Sequence, residues 1–365
     1  MLPIAQYDHA QEAHNDRRWI RSNSESHVEL AMMRGGVQHM RAVWYERTGP
    51  ADEVLVVGEM PTPTLRPGEV MVKLSASGVN PSDCNRRRGA GYGMEYARVI
   101  PNSDGAGVVD MVGEEVPTSL LHQRVWLYNG QRGRPFGTAA EYIALAADLV
   151  APLPEQTSFA EGACLGIPGM TAHRCVFADG LVTERTILVT GGAGAVGHYA
   201  IQLAKWGGAR VITTVSSPLK AEHARAAGAD VIINYKTEDV VARIMEVTGG
   251  EGVDRIVEVD FGANLPVTMR ALKLNGTIAS YASVGNPEPT LPFSSLSRKN
   301  ITIRLVALNN CPYEARRQAQ RDITRWLETG RAVHRVWREF PLERTAEAHK
   351  AVEAGGKLGT VVVTV

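Results

Sequence analysis

The sequence carries no excess of either charge: 39 Lys and Arg balance 39 Asp and Glu over 365 residues. Nucleic acid and anionic membrane surfaces are held by basic patches, so neither is an expected partner. Cysteine is scarce, and Cys84, Cys164, Cys175 and Cys311 stand far apart with no C-x-x-C pair. That excludes a disulfide framework and points to a reducing compartment, read here as the cytoplasm. No apolar run approaches the roughly 18 residues that a spanning helix needs, and the N-terminus has no apolar core of a secretory signal. What remains is ordinary globular composition, 44% hydrophobic and 21% charged, in a chain long enough for two domains.

A regular pattern begins only at Met40. Asp8 to Ser26 is polar and aperiodic, so residues 1–39 are expected to form a disordered extension or to precede the true start, with a docking or dimer-bracing arm as the alternative. From Met40 to about Cys164 the β-forming runs are short and punctuated by Pro61, Pro63, Pro67-Gly68, Pro81, Pro101 and Gly113. Phe159 to Phe177 turns helical, with Pro168-Gly169 expected to interrupt it. After Thr186, β-rich runs alternate with helical ones, the pattern of a doubly wound parallel sheet of six strands. Ser217 followed by Pro218 reads as a helix start, and Thr237 as another. The expected organisation is a mostly β domain over 40–165, a nucleotide-binding α/β domain over 166–308, and a return to the first domain over 309–365.

The stretch Thr186 to Lys205 organises the chain. A short β-rich run leads into Gly192, Gly194 and Gly197, spaced G-x-G-x-x-G, and an amphipathic helix follows. Such a turn brings backbone N–H groups and a helix N-terminus up to a pyrophosphate, with Ala195 and Val196 in the first helical turn. The first glycine permits the tight turn, the second the approach of phosphate, and the third the packing of helix on strand. An NAD site places a carboxylate on the ribose hydroxyls about 20 residues later. That carboxylate is missing here. Ser216-Ser217 and Lys220 stand in its place, and hydroxyls with an ammonium suit the 2′-phosphate of NADPH.

Ala76-Ser77-Gly78-Val79-Asn80-Pro81-Ser82-Asp83, then Asn102-Ser103-Asp104-Gly105-Ala106-Gly107, then the glycine turn, together resemble the medium-chain dehydrogenase/reductase superfamily, in its zinc-free quinone oxidoreductase (zeta-crystallin-like) branch. The resemblance spans about Met40 to Val365. It implies a discontinuous GroES-like catalytic domain with a Rossmann domain inserted, NADPH as cofactor, and a last Rossmann strand at a sheet edge. The β-rich run Ile301 to Leu308 would be that edge, and an unpaired edge of that length invites two-fold pairing into a homodimer. The zinc-containing relatives place a Cys ligand where this chain has Asn80 and His-Glu where it has Ser103-Asp104. Cys164 falls near their remaining ligand position, and one thiolate does not make a tetrahedral site. No metal is therefore expected. The resemblance further implies that Asn80 lies by the nicotinamide, that Asp83 orients the site, that Thr171 belongs to a turn near the cofactor, and that Ser216, Lys220 and Tyr235 meet the 2′-phosphate. A tyrosine commonly follows the matching Asp in the branch. Here Asn85 stands there, and Tyr92 is the nearest phenol.

Without a metal, a small acceptor that is already polarised suits the chemistry, and a quinone or conjugated carbonyl qualifies. Asn80 is the candidate donor to its oxygen. An enoyl-thioester or alkenal/enone reductase of the same fold, and a non-catalytic crystallin-like nucleotide binder, remain open alternatives at this level.

Overall fold

The computed structural model describes residues 39–90 and 93–365. The readings of residues 1–38 and of Tyr92 lie outside the described residues. Fifteen strands are named in chain order: β1 His39–Trp44, β2 Val56–Pro61, β3 Glu69–Val79, β4 Asp104–Val112, β5 Arg124–Leu127, β6 Tyr142–Ala146, β7 Val150–Pro152, β8 Thr186–Val189, β9 Arg210–Val215, β10 Val231–Asn234, β11 Val253–Glu258, β12 Leu272–Ser280, β13 Thr302–Leu305, β14 Val336–Pro341 and β15 Thr360–Thr364.

The strands with intervening Pro and Gly build a largely antiparallel sheet in the order β14-β15-β3-β4-β5-β7, with β6 also paired to β3. β3 is its centre. Its apolar residues Val70, Val72 and Leu74 pack with Val109, Val125, Leu127, Ile143 and Leu145 in one buried cluster. The last strand is drawn back into this sheet: Val361, Val362 and Val363 sit opposite Val79, Gly78 and Ser77 in antiparallel register. Each fully buried Val of this kind contributes on the order of 1.5–3 kcal/mol, so a chain end 280 residues downstream in number is held firmly beside Asn80.

The second sheet is wholly parallel, in the order β10-β9-β8-β11-β12-β13. Its near-continuous apolar strands are what a sheet covered on both faces requires. Leu188, Ile212, Ile233, Ile256 and Ile278 fall in one cluster, and Ile187, Val189, Val211, Val257 and Ala279 in another. The strand order reverses between β8 and β11, and the crevice at their carboxyl ends is where such sheets take ligands. The α/β class, with a GroES-like part and a six-stranded Rossmann sheet, is thus as expected.

Three local expectations are corrected. The helical stretch after Ser158 breaks at 163–165, not at Pro168, because Pro168 is the third residue of the helix Gly166–Phe177, where its missing N–H costs nothing. The helix expected after Thr237 begins at Val240, since the Asp239 carboxylate accepts from both Val241 N and Ala242 N and is the stronger cap. The run Ile301 to Leu308 contains an edge strand of only four residues, Thr302–Leu305.

Candidate nucleotide cleft and the adjoining acid cluster

β8 runs into a turn whose left-handed residue is Gly191 (φ +66°), one position before the spaced glycines. Gly192 is required for closeness: a Cβ there would collide with Thr213 Oγ1 on β9. At Gly197 a Cβ would run into the Gly191 carbonyl, so this glycine lets the helix Ala195–Trp206 close on its own turn. Gly194, by contrast, is exposed, a Cβ there meeting only the Gly191 carbonyl at 3.3 Å, and as N-cap it has no side chain to satisfy the first helical N–H groups. Thr214 Oγ1 accepts from Gly191 N (3.1 Å) and braces the turn. Ala195 and Val196 are half-buried in the first helical turn. The cradle therefore fits a diphosphate: donors are free on the open side, and bulk is excluded on the closed side.

At the end of β9 the Lys220 ammonium donates to Ser216 Oγ (2.8 Å). Ser217 is the N-cap of the helix Pro218–Ala226, its hydroxyl accepting from Lys220 N (3.4 Å). Ser216, Lys220 and Tyr235 line one cleft of about 230 Å³ with Gly191, Ala193, Gly194, Thr214 and Val215. Ser217 is not among the lining residues, its hydroxyl being used in the cap. The cleft has two further lining residues that sequence reasoning missed, Gly356 and Lys357, from the loop before β15.

Asn80 and Asp83 open the helix Pro81–Arg88 inside a buried polar cluster. Asn80 N donates to Asp83 Oδ2 (2.8 Å), and Ser103 Oγ donates to Asp83 Oδ1 (3.1 Å). The Asn80 side chain is also engaged, Nδ2 donating to Asp104 Oδ2 (2.7 Å), which accepts Ile167 N (2.8 Å) as well. Burial pushes Asp83 up to about 6 against the pull of its hydrogen bonds. Asp104 is raised well above the ordinary carboxyl range, by burial first and by the charge of Asp83 second. A second polar chain, without sequence warning, runs from His349 Nε2 to Asn102 Oδ1 (2.9 Å), from Asn102 Nδ2 to Ser77 Oγ (3.0 Å), and from Ser77 through Thr138 to the Asp104 carbonyl. Its members come from segments up to 272 positions apart in numbering, which is why no local motif reveals it. Thr171 is buried in the middle of Gly166–Phe177, neither a cap nor a lining residue of the nucleotide cleft.

Two protein families match in tandem: the alcohol dehydrogenase GroES-like domain over residues 66–155 and the zinc-binding dehydrogenase over 195–325. The mouse quinone oxidoreductase is 29% identical over 339 residues, covering 91% of this chain and 99% of its own. A crystal structure of an NAD-dependent alcohol dehydrogenase superposes with a TM-score of 0.80 at 31% identity, over 89% of this chain and all of that one. The chain belongs to the medium-chain dehydrogenase/reductase superfamily. Its likeness is to the quinone oxidoreductase branch: the Escherichia coli quinone oxidoreductase complexed with NADPH superposes with a TM-score of 0.77 at 25% identity, again over 89% and 100%. The superfamily contains zinc enzymes, and here the corresponding donor set is a poor fit to that ion. Asn80 is an amide already donating to Asp104, Ser103 donates to Asp83, and burial pushes the Cys164 thiol up to about 12, where it donates to Ala160 O (3.3 Å). A tetrahedral zinc site needs several anionic or imidazole donors turned to one point. Among the described residues, no group of three or more His, Cys, Asp or Glu is placed to hold a metal.

Proposed function

We propose that this member of the superfamily is an NADPH-dependent oxidoreductase that transfers hydride to a quinone or another conjugated carbonyl, without zinc. The observation that carries the reading is the pair Ser216–Lys220 in the glycine-turn cleft, where a ribose-binding carboxylate would sit in an NAD enzyme. Its alcohol dehydrogenase relative is named for NAD, so cofactor choice rests on these residues rather than on the family.

The nicotinamide supplies the hydride, and the acceptor's conjugated oxygen takes up the charge. The backbone N–H groups of Ala195, Val196 and Gly197 receive the diphosphate, in a turn that Gly192 and Gly194 shape with their own N–H groups bonded to Thr214 O and Gly191 O. Ser216, Lys220 and Tyr235 hold the 2′-phosphate, and Ser217 fixes the helix that carries Lys220. Asn80 has two amide hydrogens. Asp104 takes one, which orients the group and leaves the other for an acceptor oxygen. Asp83 ties the Asn80 backbone to the helix start and so positions rather than reacts. The working form is a homodimer joined at the β13 edge.

The test is NADPH consumption against a panel of 1,4-quinones, enones and enoyl thioesters, with alcohol oxidation by NADP⁺ as the control. Turnover of quinones or enones with no alcohol oxidation supports the reading. Turnover confined to enoyl thioesters moves the substrate class, and consumption with none makes the chain a binding protein.

A further inference from the structure

The helix Thr345–Glu353 ends in Gly355 and Gly356, both left-handed (φ +71° and +70°). Two successive left-handed residues are open to glycine at little cost, and they swing the chain so that Lys357 lines the nucleotide cleft. The far side of this loop is fixed too, because a Cβ on Gly359 would strike the Arg335 carbonyl. Lys357 is thus aimed rather than trailing.

Its surroundings are unusual for a lysine. The side chain is half-buried, and its ammonium has no hydrogen-bond or ion-pair partner among the described residues. Asp83, Cys84 and Cys164 lie within electrostatic reach of it, yet none is close enough to pair, and burial pulls its proton affinity down. An ammonium is seldom left half out of water without a partner, since the desolvation is uncompensated. Its position explains what would compensate it. On one side are the glycine turn and the Ser216–Lys220 end of the cleft. On the other are Asp83 and Cys84, on the helix that Asn80 opens. The diphosphate of a dinucleotide is the part that joins those two ends.

We propose that Lys357 is a cofactor clamp, an ammonium offered from the catalytic domain to the diphosphate that the glycine turn receives from the Rossmann side. This rests on the nucleotide-binding reading of the cleft and deepens it. The two lysines then divide the cofactor: Lys220 reads the 2′-phosphate, which only NADPH has, and Lys357 meets the diphosphate, which NADPH and NADH share.

The experiment titrates the full chain, and its Lys357→Gln, Lys357→Arg and Lys220→Ala variants, with NADPH, NADH and adenosine 2′-monophosphate, by calorimetry or fluorescence. The last probe has the 2′-phosphate but no diphosphate. Lys357→Gln is expected to weaken NADPH and NADH by one common factor, about tenfold, and to leave adenosine 2′-monophosphate within about twofold. Lys357→Arg should recover most of the loss. Ligand-free Lys357→Gln should melt at or above the parent temperature, because an unpaired, partly desolvated charge has been removed. Parent-like dinucleotide affinity in Lys357→Gln would overturn the clamp, as would equal loss of adenosine 2′-monophosphate or a lowered melting temperature. A parent protein that binds neither dinucleotide would remove the nucleotide reading itself, a different outcome from a parent that binds both and a variant that binds them as well.

Discussion

Replacing Asn80 by Ala should separate two jobs that the side chain holds at once. In the structure Asn80 Nδ2 donates to Asp104 Oδ2 at 2.7 Å, with the two residues only 3% and 1% exposed. Deleting the amide leaves a buried carboxyl oxygen with Ile167 N as its remaining donor. Losing one of the two donors to this buried carboxyl oxygen costs about 1–3 kcal/mol, so a loss of roughly 2 kcal/mol of stability is expected. For a chain of 365 residues that is a fall in Tm of roughly 2–3 °C. The second job is the donor to the acceptor oxygen. Losing one such donor costs about 2.7–4 kcal/mol in strong cases, and a wetter site should show less, so kcat is expected to fall about 10- to 100-fold. NADPH affinity should stay within about threefold, since Ser216 and Lys220 are untouched. The double variant Asn80→Ala with Asp104→Ala isolates the two effects, because removing both partners of a buried hydrogen bond costs much less than removing one. Its Tm should recover towards the parent while kcat stays low. The assays are thermal melts, stopped-flow NADPH oxidation and a binding titration on the same three proteins. Parent-like Tm and kcat in Asn80→Ala would refute the reasoning, and so would loss of NADPH binding in step with kcat.

Lys220→Ala removes a half-buried ammonium that donates to Ser216; NADPH dissociation constants should rise about 10- to 100-fold with NADH within about twofold, checked by parallel titrations. Stability should fall as pH drops from about 6.5 towards 4, because burial holds His223 and His334 at about 4 and His349 at about 3 and lowers His198 as well, so the unfolded chain takes up more protons in that window. Asp83, Asp104 and Glu258, raised by burial, act in the opposite direction, and four histidines outweigh three carboxyls. Denaturant midpoints at pH 7.5 and pH 5 measure this, and His223→Gln should show a smaller loss than the parent. Light scattering at micromolar concentration should give a mass of two chains, and Leu305→Glu on β13, where Leu305 is 74% exposed, should give one.

The glycine turn was legible in the sequence because its physics is local: Gly192, Gly194 and Gly197 lie within six residues and between a strand and a helix. Ser217 before Pro218 was legible as a cap for the same reason. Even so, the left-handed residue proved to be Gly191, which the spacing rule does not count. Caps compete locally too, and Asp239 outdid Thr237 because a carboxylate placed two residues on could take two N–H groups. The acid cluster was only half visible. Asn80 and Asp83 share a motif, but the hydrogen bond from Asn80 to Asp104 depends on β3 and β4 pairing, and sequence spacing is silent about that. Lys357 had no signal at all: it is 137 positions beyond Lys220, and only the return of β15 to β3 brings it to the same cleft.

The measurement closest to the centre of this account is a paired titration of the unmodified protein with NADPH and NADH at one fixed ionic strength. Ser216 and Lys220 should together favour NADPH by a factor on the order of 100, since charge-assisted hydrogen bonds contribute roughly 1.5–3 kcal/mol each and solvent screens part of that. Dissociation constants within about threefold of each other would contradict it, because the Ser216–Lys220 pair would then be an ordinary helix-start contact with no phosphate to read.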